Sequence, residues 1–143
     1  MANSLIDSDI FIDFLQSGRF HAEIARLYAE HTPEIYFSSV VIEELLAGAV
    51  SLNERKNVEL LYTPFERARR VIAPSPANWK DTGNLLAQIF REQPSSRSKL
   101  SHLVADCLIA LSARTIGAIV HTRNRSDFEL IRRFHHFSLV VLE

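Results

Sequence analysis

A parallel β-sheet flanked by helices on both faces is the fold class this sequence predicts. Three observations lead there. Short apolar runs of strand length alternate along the chain with longer stretches whose apolar residues recur at three- and four-residue spacing. The chain has 143 residues, 47% hydrophobic and 23% charged, which is the size and composition of one folded domain. Four glycines and five prolines are too few and too scattered to make a linker. A chain of this length buries about two thirds of the surface its unfolded form exposes, enough for a core without staples. The expected architecture is a three-layer α/β/α sandwich around a mainly parallel sheet of about five strands, as a single domain over residues 1–143.

The elements follow in order. Ser4-Leu5-Ile6 is a first strand ending at Asp7. Ile10, Phe11, Phe14 and Leu15 give helical spacing that stops near Gly18. A second helix covers about His21 to Glu30, with Ile24, Leu27 and Tyr28 on its apolar side and Pro33 as its breaker. Glu34 to Phe37 is the second strand, after which Ser38 and Ser39 offer an N-cap to a helix over Val40–Ala47, closed by Gly48. A helix from about Asn53 to Arg69 carries Pro64 as a break or kink. Arg70 to Ala73 is the third strand, stopped by Pro74 and Pro76.

Ala77 to Glu92 is amphipathic, with Trp79, Leu86, Ile89 and Phe90 expected in the core. Gln93 to Lys99 is polar, contains Pro94 and is expected to be a mobile loop. Ser101 caps an apolar helix to about Ile116, ended by Gly117. Ala118–Thr122, Ser126–Phe134 and Ser138–Leu142 are a strand, a short helix and a last strand.

Composition excludes several classes. Cys107 is the single cysteine, so no intrachain disulfide forms, and an inert core thiol in a reducing, cytoplasmic setting is expected. No apolar run approaches the roughly 18 residues of a membrane helix. The first residues lack the basic and apolar regions of a secretory signal. A net charge of −1 gives no sign of a nucleic-acid partner. Thirteen of the sixteen basic residues are arginines, however, and guanidinium groups suit bidentate phosphate contacts. A GC-rich coding sequence would produce the same bias.

In parallel sheets ligands gather at the carboxyl ends of the strands. Asp7 follows the first strand, and Thr122, Asn124 and Asp127 stand at or beyond the end of the fourth. Glu43 and Glu44 lie one turn into the helix after the second strand. Asp106 is the informative addition, because its helix is apolar almost all round and should be buried. A buried carboxylate is costly unless paired or bound to a cation, and a cation shared with Asp7 would serve. Oxygen ligands of this kind suit Mg²⁺ or Mn²⁺. Taken singly, each group has a plainer reading: Asp7 and Asp127 as helix-cap or first-turn acids, Glu43 and Glu44 on a solvated face, Asp106 on a narrow exposed stripe with His102. Their coincidence favours a site. His135 and His136 lack zinc-site spacing and are expected at the surface.

Four segments, in order along almost the whole chain, resemble the PIN-domain family and within it the VapC-type toxin ribonucleases. Leu5-Ile6-Asp7-Ser8-Asp9-Ile10-Phe11-Ile12 resembles the family's opening strand with its Asp-x-[Asn/Ser/Asp] motif. Ser38 to Gly48 resembles its Ser-rich turn, catalytic Glu-Leu and closing glycine. Ala105-Asp106-Cys107-Leu108-Ile109-Ala110 resembles its Asp-x-x-Ile-Ala helix, and His121 to Phe128 its Thr-x-Asn-x-x-Asp-Phe motif.

The resemblance implies a PIN-like sandwich and catalytic carboxylates at Asp7, Glu44, Asp106 and Asp127, with Asp7, Glu44 and Asp106 as metal ligands. Many members carry Asp where this chain has Asn124, so the fourth position falls to Asp127 or to the Asn124 amide. Glu43 competes with Glu44 on spacing, and the Glu-Leu pattern favours Glu44. Asp9 could add a further charge and Thr122 a further contact. Arg97, Arg123 and Arg125 are candidate contacts to an RNA backbone. The implied activity is Mg²⁺- or Mn²⁺-dependent RNA cleavage, with a homodimer and a VapB-like antitoxin as partners and no membrane association.

Two other classes stay open on sequence. Ile6-Asp7-Ser8-Asp9 resembles the nucleophile motif of haloacid-dehalogenase phosphatases, although the usual Gly-Thr is missing and 143 residues leave little room for a cap. A non-catalytic RNA-binding adaptor or a phospho-receiver is the third class. A receiver needs a late lysine, and the last lysine here, Lys99, precedes the fourth strand.

Overall fold

β1 (Asn3–Ile6) lies at the centre of a five-stranded sheet, between β2 (Ile35–Ser38) and β4 (Ala118–Thr122). β3 (Val71–Ile72) and β5 (Ser138–Val141) form the two edges, giving the order β3-β2-β1-β4-β5. Every neighbouring pair is parallel, so the sheet is more uniform than the mainly parallel one expected. The structure, a computed structural model, describes residues 3–30 and 34–143. Pro33 and the Leu27 side chain, both used in the sequence reading, lie outside the described residues.

Helices α1 (Ser8–Ser17) and α2 (His21–Glu30) join β1 to β2, and α3 (Ser39–Gly48) and α4 (Leu52–Arg67) join β2 to β3. α5 (Pro76–Glu92), a 3₁₀ helix (Pro94–Lys99) and α6 (Leu100–Thr115) lead back across the sheet to β4, and α7 (Arg125–Phe134) precedes β5. Right-handed crossovers in opposite directions from β1 place the first four helices on one face and the last three on the other. α1 packs on α3 and α3 on α4, while α5, α6 and α7 pack on one another.

The local chemistry matches these boundaries. Ser38 caps α3 by accepting from the Val40 and Val41 N–H groups. Gly18 ends α1 in the left-handed region at φ 74°, and Gly117 turns the chain into β4 at φ 64°. Ser75 and Asn78 form a capping box at the start of α5, which the expected start at Ala77 had missed.

Five expectations are corrected. Gly48 is the last residue of α3 rather than its closing turn, and Ala49 takes the cap position. Pro64 does not break α4, which continues to Arg67 before Ala68 and Arg70 donate back to Pro64 O and Phe65 O. The Gln93 to Lys99 segment is a 3₁₀ helix over Pro94–Lys99 instead of a mobile loop, with Pro94 in its first turn. Because that helix runs directly into α6, Ser101 lies within α6 and caps nothing. Trp79 points outward and is 56% exposed.

The core straddles the sheet. Phe37 on β2 stacks on Phe11 of α1 at 5.0 Å between ring centroids and meets Phe65 of α4 at 5.5 Å. Leu5 and Val120, at the centre of the two central strands, are wholly buried, as are Leu103, Cys107 and Ile109 of α6. Phe11→Ala should destabilise the fold by about 3–5 kcal/mol, since it empties the space between α1 and β2. Trp79→Ala should change stability by under ~1 kcal/mol, as a surface substitution does. Urea denaturation of the two variants checks the contrast, and equal losses would contradict this packing.

Candidate active site

The sheet order reverses between β1 and β4: β2 and β3 extend from one side of β1, β4 and β5 from the other. A crevice opens at the carboxyl ends of strands at such a point. Asp7 is the first residue beyond β1, and its N–H still donates to His121 O of β4 at 2.8 Å. Strand alternation carries Asp7 to the same face as Leu5, and Thr122 to the same face as Val120. The two side chains meet there, Thr122 Oγ1 donating to Asp7 Oδ2 at 2.7 Å. Asp7 also starts α1, with its Oδ1 accepting the Ser8 N–H at 2.8 Å. The helix-cap reading of Asp7 holds, and it leaves the other carboxylate oxygen facing Thr122.

Asp9, in the first turn of α1, accepts from the Arg123 N–H at 3.2 Å and from the Thr122 hydroxyl at 3.3 Å. Asn124 caps α7, its N–H donating to Thr122 Oγ1 at 3.0 Å. The Asn124 amide then bridges two acids, with Nδ2 3.1 Å from Asp127 Oδ2 and 3.5 Å from Asp106 Oδ2. Lys99 closes the far side, its Nζ 3.3 Å from Asp127 Oδ1. Asp7, Asp106, Asp127 and Thr122 are all buried. Asp106 is only 7% exposed, which removes the exposed-stripe reading. Glu44 turns inward and interacts with the Ser8 hydroxyl, and its Oε1 is buried without a hydrogen-bond partner. Glu43 is exposed.

Electrostatics ties these groups into one unit. Burial first, then the charges of Asp7, Asp127, Glu44 and Asp9, pushes the Asp106 carboxyl up to about 9. Burial and the Asp9 charge push Asp7 up to about 7, against the pull of the Thr122 and Ser8 hydrogen bonds. Asp9 and Glu44 are also raised, burial being the largest cause in each. Such shifts collect at functional sites because a cleft that removes water also crowds like charges.

Comparison with known proteins adds the lineage. The model of the PIN domain family matches residues 4–133. The chain belongs to the PIN-domain family. No curated protein matches it in sequence. Among solved structures, this PIN domain is similar to the DNA-bound VapBC of Salmonella typhimurium, at 23% identity and a TM-score of 0.68, over 99% of this chain and 98% of that one. It is also similar to VapBC2 of Rickettsia felis bound to a promoter DNA fragment, at 20% identity and a TM-score of 0.61, over 98% of each chain. FitAcB of Neisseria gonorrhoeae follows at 20% identity and a TM-score of 0.58, over 94% of each. These likenesses establish the fold.

Within the PIN domain, the expected acids Asp7, Glu44, Asp106 and Asp127 come together, with Asp9, Thr122 and Asn124 among them. Of the expected arginines, Arg123 and Arg125 border an open cavity with Asp9 and Asn124, and each is paired with an acid. Arg97 is exposed on the 3₁₀ helix. Arg123 Nε lies 2.7 Å from Asp13 Oδ2 as an ion pair without hydrogen-bond alignment. Arg125 pairs with Glu129 and Glu143 at 3.2 and 3.1 Å. Sequence reasoning missed Ser8 and Lys99. Ser8 carried a signal, since it sits between two of the acids. Lys99 carried none, because a segment read as a loop gives no direction to its side chains.

Among the described residues, no three His, Cys, Asp or Glu side chains are arranged as a ready-made metal cage. The donor set nonetheless fits a hard cation. Mg²⁺ keeps several waters and needs only one or two carboxylates, and the orphaned Glu44 oxygen beside Asp7 offers a free acceptor. The upward shifts have a consequence of definite sign. A raised acid binds its proton more tightly folded than unfolded, so the contribution is fully present below the ordinary carboxylate range and is lost as pH rises through about 7 for Asp7 and about 9 for Asp106. In chelator at pH 9, Asp106→Asn should melt above the parent chain by roughly 4–8 °C, for about 2 kcal/mol of relieved repulsion, and show no such gain at pH 4. Millimolar Mg²⁺ or Mn²⁺ should raise the melting temperature of the parent chain at pH 8. A melting temperature indifferent to pH, substitution and cation would contradict this electrostatic account.

Proposed function

We propose that this PIN domain, one unit over residues 1–143, is a Mg²⁺- or Mn²⁺-dependent endoribonuclease and the toxin of a VapBC-type pair. One observation carries the reading: Asp7, Glu44 and Asp106 crowd into a nearly dry crevice where Asp106 is held up to about 9, an arrangement that a divalent cation relieves. Asp7, Glu44 and Asp106 would hold the ion. Once bound, it supplies an activated water and charge stabilisation at a phosphoryl oxygen. Thr122 and Ser8 orient Asp7 and Glu44, Asp9 is held by the Arg123 N–H, and Asn124 fixes Asp106 relative to Asp127. Asp127 completes the acidic set, and Glu43, on the solvent side, does not. Arg123 and Arg125, which border the cavity beside Asp9, and the exposed Arg97 would meet the RNA backbone.

The partner reading follows from the VapBC and FitAcB complexes among the similar structures. It gains support from an apolar groove between α1, α2 and α4, lined by Phe14, Leu15, Tyr28 and Leu60, with Leu60 68% exposed. A VapB-like antitoxin segment would cover it. A homodimer working in the cytoplasm completes the proposal. Among the described residues no helix is long and apolar enough to cross a membrane. The haloacid-dehalogenase alternative loses its basis with the family assignment.

Purified chain should cleave a mixed RNA pool with Mn²⁺ and not with chelator. Asp7→Asn and Asp106→Asn should each lose at least ~100-fold in rate, the scale on which loss of one charge-stabilising group acts, while staying folded, and should no longer arrest growth on expression. RNA binding without cleavage would identify an adaptor, and a folded Asp106→Asn protein of full activity would overturn the assignment.

A further inference from the structure

The acid cluster has two unequal halves. On the Asp127 side, both carboxylate oxygens already have donors. Lys99 Nζ lies 3.3 Å from Oδ1, and Asn124 Nδ2 donates to Oδ2 at 3.1 Å. The same amide lies 3.5 Å from Asp106 Oδ2. On the other side, Asp7 accepts only from neutral donors, the Ser8 N–H and the Thr122 hydroxyl. Glu44 Oε1 is buried with no donor at all. Among the described residues, no ion pair reaches Asp7, Glu44 or Asp106.

Lys99 owes its place to the backbone. It is the last residue of the 3₁₀ helix, which feeds directly into the helix bearing Asp106. Its side chain is 56% exposed, against 11% for that of Asp127. The pair borders an open cavity of about 430 Å³ shared with Ser95, Ser96 and Ser126. The ammonium is thus anchored to the acid and open to an approaching chain.

We propose that this site takes one divalent cation, at Asp7, Glu44 and Asp106, and that the Lys99 ammonium fills the place beside Asp127 that a second cation would otherwise take. A second ion in a two-metal arrangement sits about 3.5–4 Å from the first. Here it would have to expel a unit positive charge from Asp127 and stand against an amide N–H, whereas Mg²⁺ and Mn²⁺ take oxygen ligands. Lys99 thereby supplies the second positive group next to a phosphate oxygen, in a form that does not dissociate with the metal. This inference rests on the metal-dependent reading of the site.

Mn²⁺ titration of the chelator-stripped full chain, by calorimetry and by electron paramagnetic resonance, tests it. The parent chain and Lys99→Arg should bind one Mn²⁺ each. The double variant Lys99→Met with Asn124→Asp should bind two, with the spin–spin broadening of neighbouring ions. Lys99 is exposed, and aspartate is as good a helix cap as asparagine, so the variant should fold; a thermal melt verifies this. Two Mn²⁺ ions in the parent chain overturn the proposal and leave the nuclease reading standing. A single ion in the folded double variant also overturns it. No Mn²⁺ bound by the parent chain at millimolar concentration overturns the metal-dependent reading itself.

Discussion

Asp7 must keep its place in a crevice almost sealed from water, with other acids around it. Its backbone extends the ladder between β1 and β4, and its two oxygens accept from the Thr122 hydroxyl and the Ser8 N–H. A strand end fixes its backbone, a helix start fixes one oxygen, and the neighbouring strand fixes the other. Asp106 comes from the opposite direction, on a helix buried at Leu103 and from Asp106 to Ala113. Its burial follows from that helix's apolar surround, and its unfavourable charge follows from its burial. The site is therefore a consequence of the sheet's switch point and of one acid on an apolar helix.

Much of this was legible because the informative residues interrupt a pattern. Asp106 breaks an apolar run, and Asp7 and Thr122 end strands whose apolar residues announce them. The choice between Glu43 and Glu44 was legible only through the family pattern, since adjacent helical residues differ by about 100° in direction and neither position is marked. The illegible parts share a different cause. Trp79 faces outward because the capping box at Ser75 and Asn78 sets the rotation of α5, and Asn78 and Thr82 rather than Trp79 fall on the buried side. Ser101 looks like a cap, but the preceding 3₁₀ helix already supplies the turn. The Gln93–Lys99 segment has loop composition, and its order comes from continuity with its neighbours. Lys99 followed that segment out of sight.

The arginines show how composition misleads about role. Their excess suggested phosphate contacts, yet several are spent on the protein itself. Arg123 forms an ion pair with Asp13, Arg125 ties α7 to Glu143, and Arg70 donates to Ile35 O. Arg123 also presents its backbone N–H to Asp9. Its structural value is to hold the start of α1 against the end of β4, the same join that Asp7 and Thr122 make. A surface ion pair contributes little stability alone. Its use here is positional.

Crowded acids cost stability, and the cost must be offset elsewhere in the same elements. α1 bears Ser8 and Asp9 at its start and Phe11 one turn later, stacked on Phe37 of β2, with Phe65 and Tyr28 continuing the aromatic contact. α6 bears Asp106 beside the wholly buried Leu103, Cys107, Ile109 and Ala110. Each acid is thus held on an element whose own apolar face is fixed in the core, so relief by moving apart would expose that face. Full burial of one such aromatic or aliphatic side chain contributes about 1.5–3 kcal/mol, and several act together on each helix. The repulsion therefore cannot be relieved by separation, and on the metal-dependent reading proposed above a proton or a cation relieves it instead.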